Sequence, residues 1–177
     1  MRNKFDHLPF YQNPTLLGKN KEDAHTEAVS YLSIEDLNHD LESTQRSLNG
    51  AWKFKLYPNP KAVSEFYKTD NIESEPWEDI QVPGVWELQG HGTPYYLAKS
   101  YPPQVETRKR KLPHVSESDN PSGAYVRTFD CPREFLDQRV YIRFGAVKSV
   151  FRCWINGYEV GFSKASMTSH EFEITAY

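Results

Sequence analysis

Between residues 150 and 162 two apolar-rich arms, Phe-Arg-Cys-Trp-Ile and Tyr-Glu-Val-Gly-Phe, flank the pair Asn156-Gly157. Both turn residues take positive φ at low cost, and a type I′ turn matches the twist of the strands it joins, so the pattern predicts a β-hairpin of fixed register. Alternation recurs over residues 48–56, where Trp52, Phe54 and Leu56 fall on one face and Lys53 and Lys55 on the other. A strand starting at Ile80 is cut short by Pro83-Gly84, since proline cannot donate to a ladder. Further strands are expected over residues 123–129 and 139–144, and around Phe172 and Ile174. Short strands at this spacing predict an all-β antiparallel β-sandwich or barrel rather than βαβ units, with a jelly roll as the first choice.

Helical signals are sparse. Val63, Phe66 and Tyr67 recur at helical spacing, so one short helix is expected within residues 60–70. Residues 1–45 contain Pro9 and Pro14 and no sustained period, and they read as an extended arm with one helical turn near Ser33–Leu37, capped by Ser33 with Asp36 three residues on. The domain reading is therefore an arm over 1–45 and a jelly-roll domain over 46–177. Residues 171–177 look like a half-written strand, so the domain is expected to be truncated at its C-terminal end and to belong to a larger protein. The stretch from about 89 to 121 is dense in Gly, Pro and Tyr, a length at which a connection is commonly functional.

Composition adds exclusions. The 177 residues, 38% apolar and 14% aromatic, support a full core. A net charge of -3 with interleaved signs gives no field that would attract nucleic acid or a membrane surface, and Arg108-Lys-Arg-Lys111 reads as a solvated loop face. Two cysteines, Cys131 and Cys153, make neither a disulfide scaffold nor a metal site, and His91 and His114 are solitary. The N-terminus is too polar for a signal peptide and no apolar run reaches membrane-spanning length, so a cytoplasmic location is expected.

Four motifs carry a family resemblance. Residues 46–54 (Arg-Ser-Leu-Asn-Gly-Ala-Trp-Lys-Phe), 82–94 (Val-Pro-Gly-Val-Trp-Glu-Leu-Gln-Gly-His-Gly-Thr-Pro), 119–129 (Asp-Asn-Pro-Ser-Gly-Ala-Tyr-Val-Arg-Thr-Phe) and 154–162 (Trp-Ile-Asn-Gly-Tyr-Glu-Val-Gly-Phe) resemble, in order, the N-terminal sugar-binding domain of glycoside hydrolase family two. Residues 11–25, beginning Tyr-Gln-Asn-Pro, are similar to the leader of the large bacterial β-galactosidases. The resemblance implies a jelly-roll module beside immunoglobulin-like domains and a TIM barrel that supplies both catalytic glutamates. The parent would hydrolyse terminal β-linked galactose or a related sugar with retention, which needs two carboxyl groups about 5–5.5 Å apart. No catalytic residue is expected in this chain, because Glu171 and Glu173 read as acids on the exposed face of a strand. No cofactor is expected in it either, although the parent would use magnesium and sodium. Expected partners are the remaining domains of the same chain, the carbohydrate substrate, and further copies in a homo-oligomer.

In the galactosidases two loops of this domain touch the sugar, one through an Asn and one through an Asp that also helps hold sodium. The matching positions here are Ala98, in Tyr96-Leu-Ala-Lys-Ser-Tyr-Pro102, and Ala165, in Val160-Gly-Phe-Ser-Lys-Ala-Ser166. A methyl group neither accepts a hydroxyl hydrogen bond nor ligates a cation. Lys99 and Lys164 sit beside the two alanines, and with Tyr96 they are the candidate rim residues, suited to a sugar with an anionic or otherwise altered substituent. Trp86, Tyr95 and Tyr101 could stack on a sugar, but Trp86 reads better as core. A free-standing carbohydrate-binding module with an aromatic platform is the alternative function.

Overall fold

The computed structural model describes residues 4–39, 44–68, 72–73, 75–94, 113–116 and 120–177. These residues form eight β-strands, one five-residue α-helix and short 3₁₀ turns, with every described strand pairing antiparallel to its neighbours in register. The all-β antiparallel class predicted by the alternation is what is found. The chain divides into two compact units: Met1–Leu17, Gly50–Thr128 and Asn156–Tyr158 in the first, and Gly18–Asn49, Phe129–Ile155 and Glu159–Tyr177 in the second.

In the first unit β2 (Gly50–Tyr57) is central, flanked by β3 (Glu78–Val82) and β4 (Ser122–Val126). Phe54 is fully buried on the face predicted to be apolar, and Tyr125, directly across the ladder, meets its ring at a centroid distance of 4.9 Å. Trp86 and His91 close over Phe54 at 5.8 and 4.6 Å, so Trp86, itself half-buried, packs against the core from its edge. The opposite face, expected to be polar from Lys53 and Lys55, carries a second cluster of Tyr57, Phe66 and Ala124. Lys55 is compatible with it because its ammonium pairs with Glu75 and lies 4.9 Å from the centroid of the Tyr57 ring.

The helix expected within residues 60–70 is absent over its described residues. A single 3₁₀ turn, Pro60–Ala62, is capped by the Asn59 side chain and ends at Val63, whose ψ of 120 is extended. Burial against the Tyr57 cluster accounts for the spacing of Val63, Phe66 and Tyr67 without a helix. The turn near residue 33 does form, as α1 (Ile34–Asn38), with the Ser33 side chain accepting from the Asp36 amide at 3.0 Å.

The second unit stacks two sheets. One has the order β1 (Gly18–Lys19), β7 (Tyr158–Ser163), β6 (Phe151–Ile155); the other pairs β5 (Tyr141–Phe144) with β8 (His170–Glu173). Ile142, Cys153, Val160 and Phe172 contribute one residue from each long strand to the buried cluster between them. The β6–β7 turn is as predicted: Asn156 has φ 50 and Gly157 φ 85. Strand β1 has no counterpart in the sequence reading. Two residues of the arm pair with the end of β7, Gly18 opposite Ser163 and Lys19 opposite Phe162, and the Asn20 amide donates to the Val160 carbonyl at 2.9 Å.

Two glycines are required by close approach. A methyl at Gly123 would enter the Trp86 ring and lie 2.7 Å from Phe54; one at Gly161 would collide with the Lys19 carbonyl and lie 2.9 Å from Phe172. Gly123→Ala should therefore lower stability by about 1–3 kcal/mol, and Gly161→Ala by at least as much because its obstacle is backbone. Urea denaturation of the two variants against the parent chain checks this, and an unchanged midpoint at either site would contradict the packing described.

Candidate functional site

Strand β7 ends at Ser163 and β8 begins at His170, leaving residues 164–169 as the loop that carries Lys164 and Ala165. Ser163 is fully buried and His170 nearly so. The Ser163 hydroxyl lies 3.0 Å from His170 Nδ1, and His170 Nε2 lies 2.8 Å from the Ala165 carbonyl. A carbonyl can only accept, so Nε2 carries the proton and Nδ1 accepts from Ser163. The Thr168 hydroxyl donates to the same Ala165 carbonyl at 2.9 Å. On its flank the imidazole packs against Phe151, with centroids 5.5 Å apart. The loop is thus closed by side chains from its own two ends.

What this arrangement presents outward is narrow. Ala165, Ser166 and Met167 are exposed, and Met167 takes the left-handed region at φ 64. Lys164 is half-buried, and desolvation pushes its pKa below the usual lysine value. Lys99 and Tyr96, with Ala98, Tyr95, Tyr101 and the basic run 108–111, lie outside the described residues.

The other tempting side chains have structural roles. Glu173 binds Arg139 through both its oxygens, at 3.2 and 2.6 Å, which holds its carboxyl below the ordinary glutamate range; Thr175 also donates to it. Glu171 faces Arg143 at 3.6 Å and His25 at 3.3 Å. Both acids lie on the face of β8 opposite Phe172. His91 packs on Phe54 with Nδ1 3.6 Å from the Glu78 carboxylate, and His114 meets the Gln12 side chain at 3.2 Å. Among the described residues no three His, Cys, Asp or Glu side chains group as a metal site.

Sodium is the ion that the resemblance attaches to this loop, and the residues present do not fit it. The side chain at position 165 is a methyl, and the one backbone oxygen it could offer instead already accepts from His170 and Thr168.

Comparison with known proteins decides the family. The sequence model for the glycosyl hydrolases family 2, sugar binding domain, matches residues 45–177. The chain belongs to glycosyl hydrolase family 2. Relatives include the β-galactosidase of Priestia megaterium, 39% identical over 168 residues, which cover 93% of this chain and 16% of that protein. That of Halalkalibacterium halodurans is 38% identical over 160 residues, covering 89% and 16%. That of Clostridium acetobutylicum is 35% identical over 180 residues, covering 100% and 20%. This family 2 domain thus spans 16–20% of the length of these relatives. Among its described residues no helix is long and apolar enough to cross a membrane.

Sequence reasoning reached Lys164 and Ala165 through the motif, but it missed Ser163, Thr168 and His170. A histidine where a strand begins, just after Thr168-Ser169, was the available signal, and nothing in the sequence tied its two nitrogens to Ser163 and Ala165.

The two cysteines of the family 2 domain should behave differently. Burial pushes the Cys153 thiol up to about 12, whereas Cys131 is exposed. A disulfide reagent at neutral pH should therefore label one thiol rapidly and the second only on unfolding. Because the unfolded thiol ionises first, stability should also decline as pH rises above about 8.5, and Cys153→Ala should flatten that slope. Equal labelling rates for both thiols in the folded chain would contradict it.

Proposed function

We propose that this chain is the sugar-binding domain of a β-galactosidase-type glycosyl hydrolase, with jelly-roll connectivity, and that it shapes the rim of an active site whose catalytic glutamates lie outside these 177 residues. The observation that carries the reading is the match of the family's sugar-binding domain to residues 45–177, combined with relatives that are β-galactosidases along nearly the whole chain. The ion pairing of Glu171 and Glu173 supports the non-catalytic role. The whole protein hydrolyses terminal β-linked galactose or a related sugar with retention, in the cytoplasm, as a homo-oligomer. Its magnesium and any sodium are held by residues outside this chain.

The rim assignment gives Lys164, Lys99 and Tyr96 the contacts to the sugar. The place of Lys164 in the loop, next to the alanine that stands where the family offers a carboxylate, supports it, since a lysine there offers donors and positive charge where the family offers acceptors. With Ala98 and Ala165 at the two expected ligand positions, selectivity moves away from an unmodified galactose hydroxyl pattern toward a substituent that can accept from an ammonium.

Two measurements test the reading. The full-length protein should release galactose from an aryl β-galactoside with the β-anomer formed first, as followed by proton NMR, while the 177-residue chain alone should show neither turnover nor calorimetric galactoside binding. Turnover by the chain alone would overturn the reading; tight binding by it would favour a free-standing carbohydrate-binding module. In the full-length protein, Lys164→Met and Lys99→Met should each change the ratio of kcat/KM for an anionic over a neutral aryl glycoside by about tenfold, equivalent to one lost charged contact. Unchanged ratios would remove the lysines from the rim.

A further inference from the structure

The loop between β7 and β8 is tied at its base by hydrogen bonds internal to the protein. A six-residue connection with exposed residues at 165–167 and a left-handed Met167 has little packing of its own to define its path. What ties it is a set of hydrogen bonds, buried between Ser163 and His170 and partly exposed at the Ala165 carbonyl, with the Ser169 hydroxyl bonded to Arg143 and the Gly145 carbonyl at the loop's far end. Ser163 is 0% exposed and His170 4%, and each polar atom of the pair is matched: Ser163 Oγ with Nδ1, Nε2 with the Ala165 carbonyl. The Thr168 hydroxyl adds a second donor to that carbonyl, so both of its lone pairs are occupied.

Carbonyl oxygens that bind a cation must keep a lone pair directed at it, and a loop organised by sodium needs several such oxygens. Here the relevant carbonyl is filled from inside the protein, and the side chain beside it has no oxygen at all. The ring fills the space at the loop's base and abuts Phe151, so its removal would leave a void and take away the partner of the buried Ser163 hydroxyl.

We propose that His170, assisted by Ser163 and Thr168, is a positioning residue that holds the Lys164–Ala165–Ser166 backbone in place without sodium, so that this loop's order is independent of that ion. The proposal rests on the reading of the chain as a family 2 sugar-binding domain only in selecting sodium as the ion to exchange. The hydrogen bonds themselves stand apart from any activity.

The test is hydrogen exchange of the peptide covering residues 164–169 in the full-length protein, in sodium chloride and in choline chloride at equal ionic strength. Exchange within twofold in the two salts is expected for the wild type, and His170→Ala should speed it by about tenfold or more, the factor that loss of one buried hydrogen bond supports. His170→Gln, whose amide can still donate to the Ala165 carbonyl, should recover part of the protection. Sodium slowing the wild-type loop tenfold would overturn the proposal, as would unaltered exchange in His170→Ala. The salt comparison needs no variant, so it decides the matter even where a substitution prevents folding. Steady-state kinetics on the same samples give a second readout: His170→Ala should raise KM more than it lowers kcat. Absence of any glycosidase activity in the wild type would count against the functional reading while leaving the exchange result to judge the loop.

Discussion

The register of the β6–β7 hairpin is the constraint from which the second unit is built. Cys153 and Val160 lie in the buried cluster, while on the other side of the same two strands Arg152 pairs with Glu159 and stacks on Trp154. Strand faces alternate with period two, so a slip of one residue would move an arginine and a glutamate into the space between the sheets and two apolar side chains out of it. Asn156 and Gly157, both at positive φ, fix the turn at two residues and exclude that slip. The same register delivers Ser163 to the end of β7, where it meets His170, so the loop's base depends on a turn six residues away.

The arm reinforces this. Gly18 and Lys19 add a short edge to β7, and the Lys19 carbonyl comes so close to Gly161 that no side chain fits between them. On the second sheet Arg143 stands directly across from Glu171, and Arg139 reaches Glu173, which places charged pairs on β5 and β8. Such charges disfavour pairing with a foreign strand. Two carboxylates so near each other in sequence are thereby each matched by their own cation.

Most of the sheet was legible in the sequence because its signals are local. Alternation around Trp52 and Phe54, the proline that ends β3 and the Asn-Gly turn each act within a few residues. The features that escaped are those decided by distant contacts. Strand β1 is two residues long and exists only because β7 offers it a partner; its own sequence carries no β pattern. Residues 63–67 imitate a helix in their spacing, yet their apolar side chains are gathered by Tyr57 and Ala124. The lysine face of β2 reads as solvated although a lysine's stem can cover an aromatic ring. At the site the division is the same: motif position identified Lys164 and Ala165, whereas the roles of Ser163 and His170 arise from a closure that only the fold brings about.

The closure of the loop has a consequence for how this protein can change over time. Its path is set by groups at its base that point inward, whereas Ala165, Ser166 and Met167 at its tip face outward. Replacing the side chain of Ala165 or Ser166 leaves the hydrogen bonds at the base intact, so these two positions can change at little risk to folding, whereas Met167 is restricted by its left-handed backbone. The arrangement separates what holds the loop's shape from what its tip displays, the condition under which a surface can vary while its scaffold stays still.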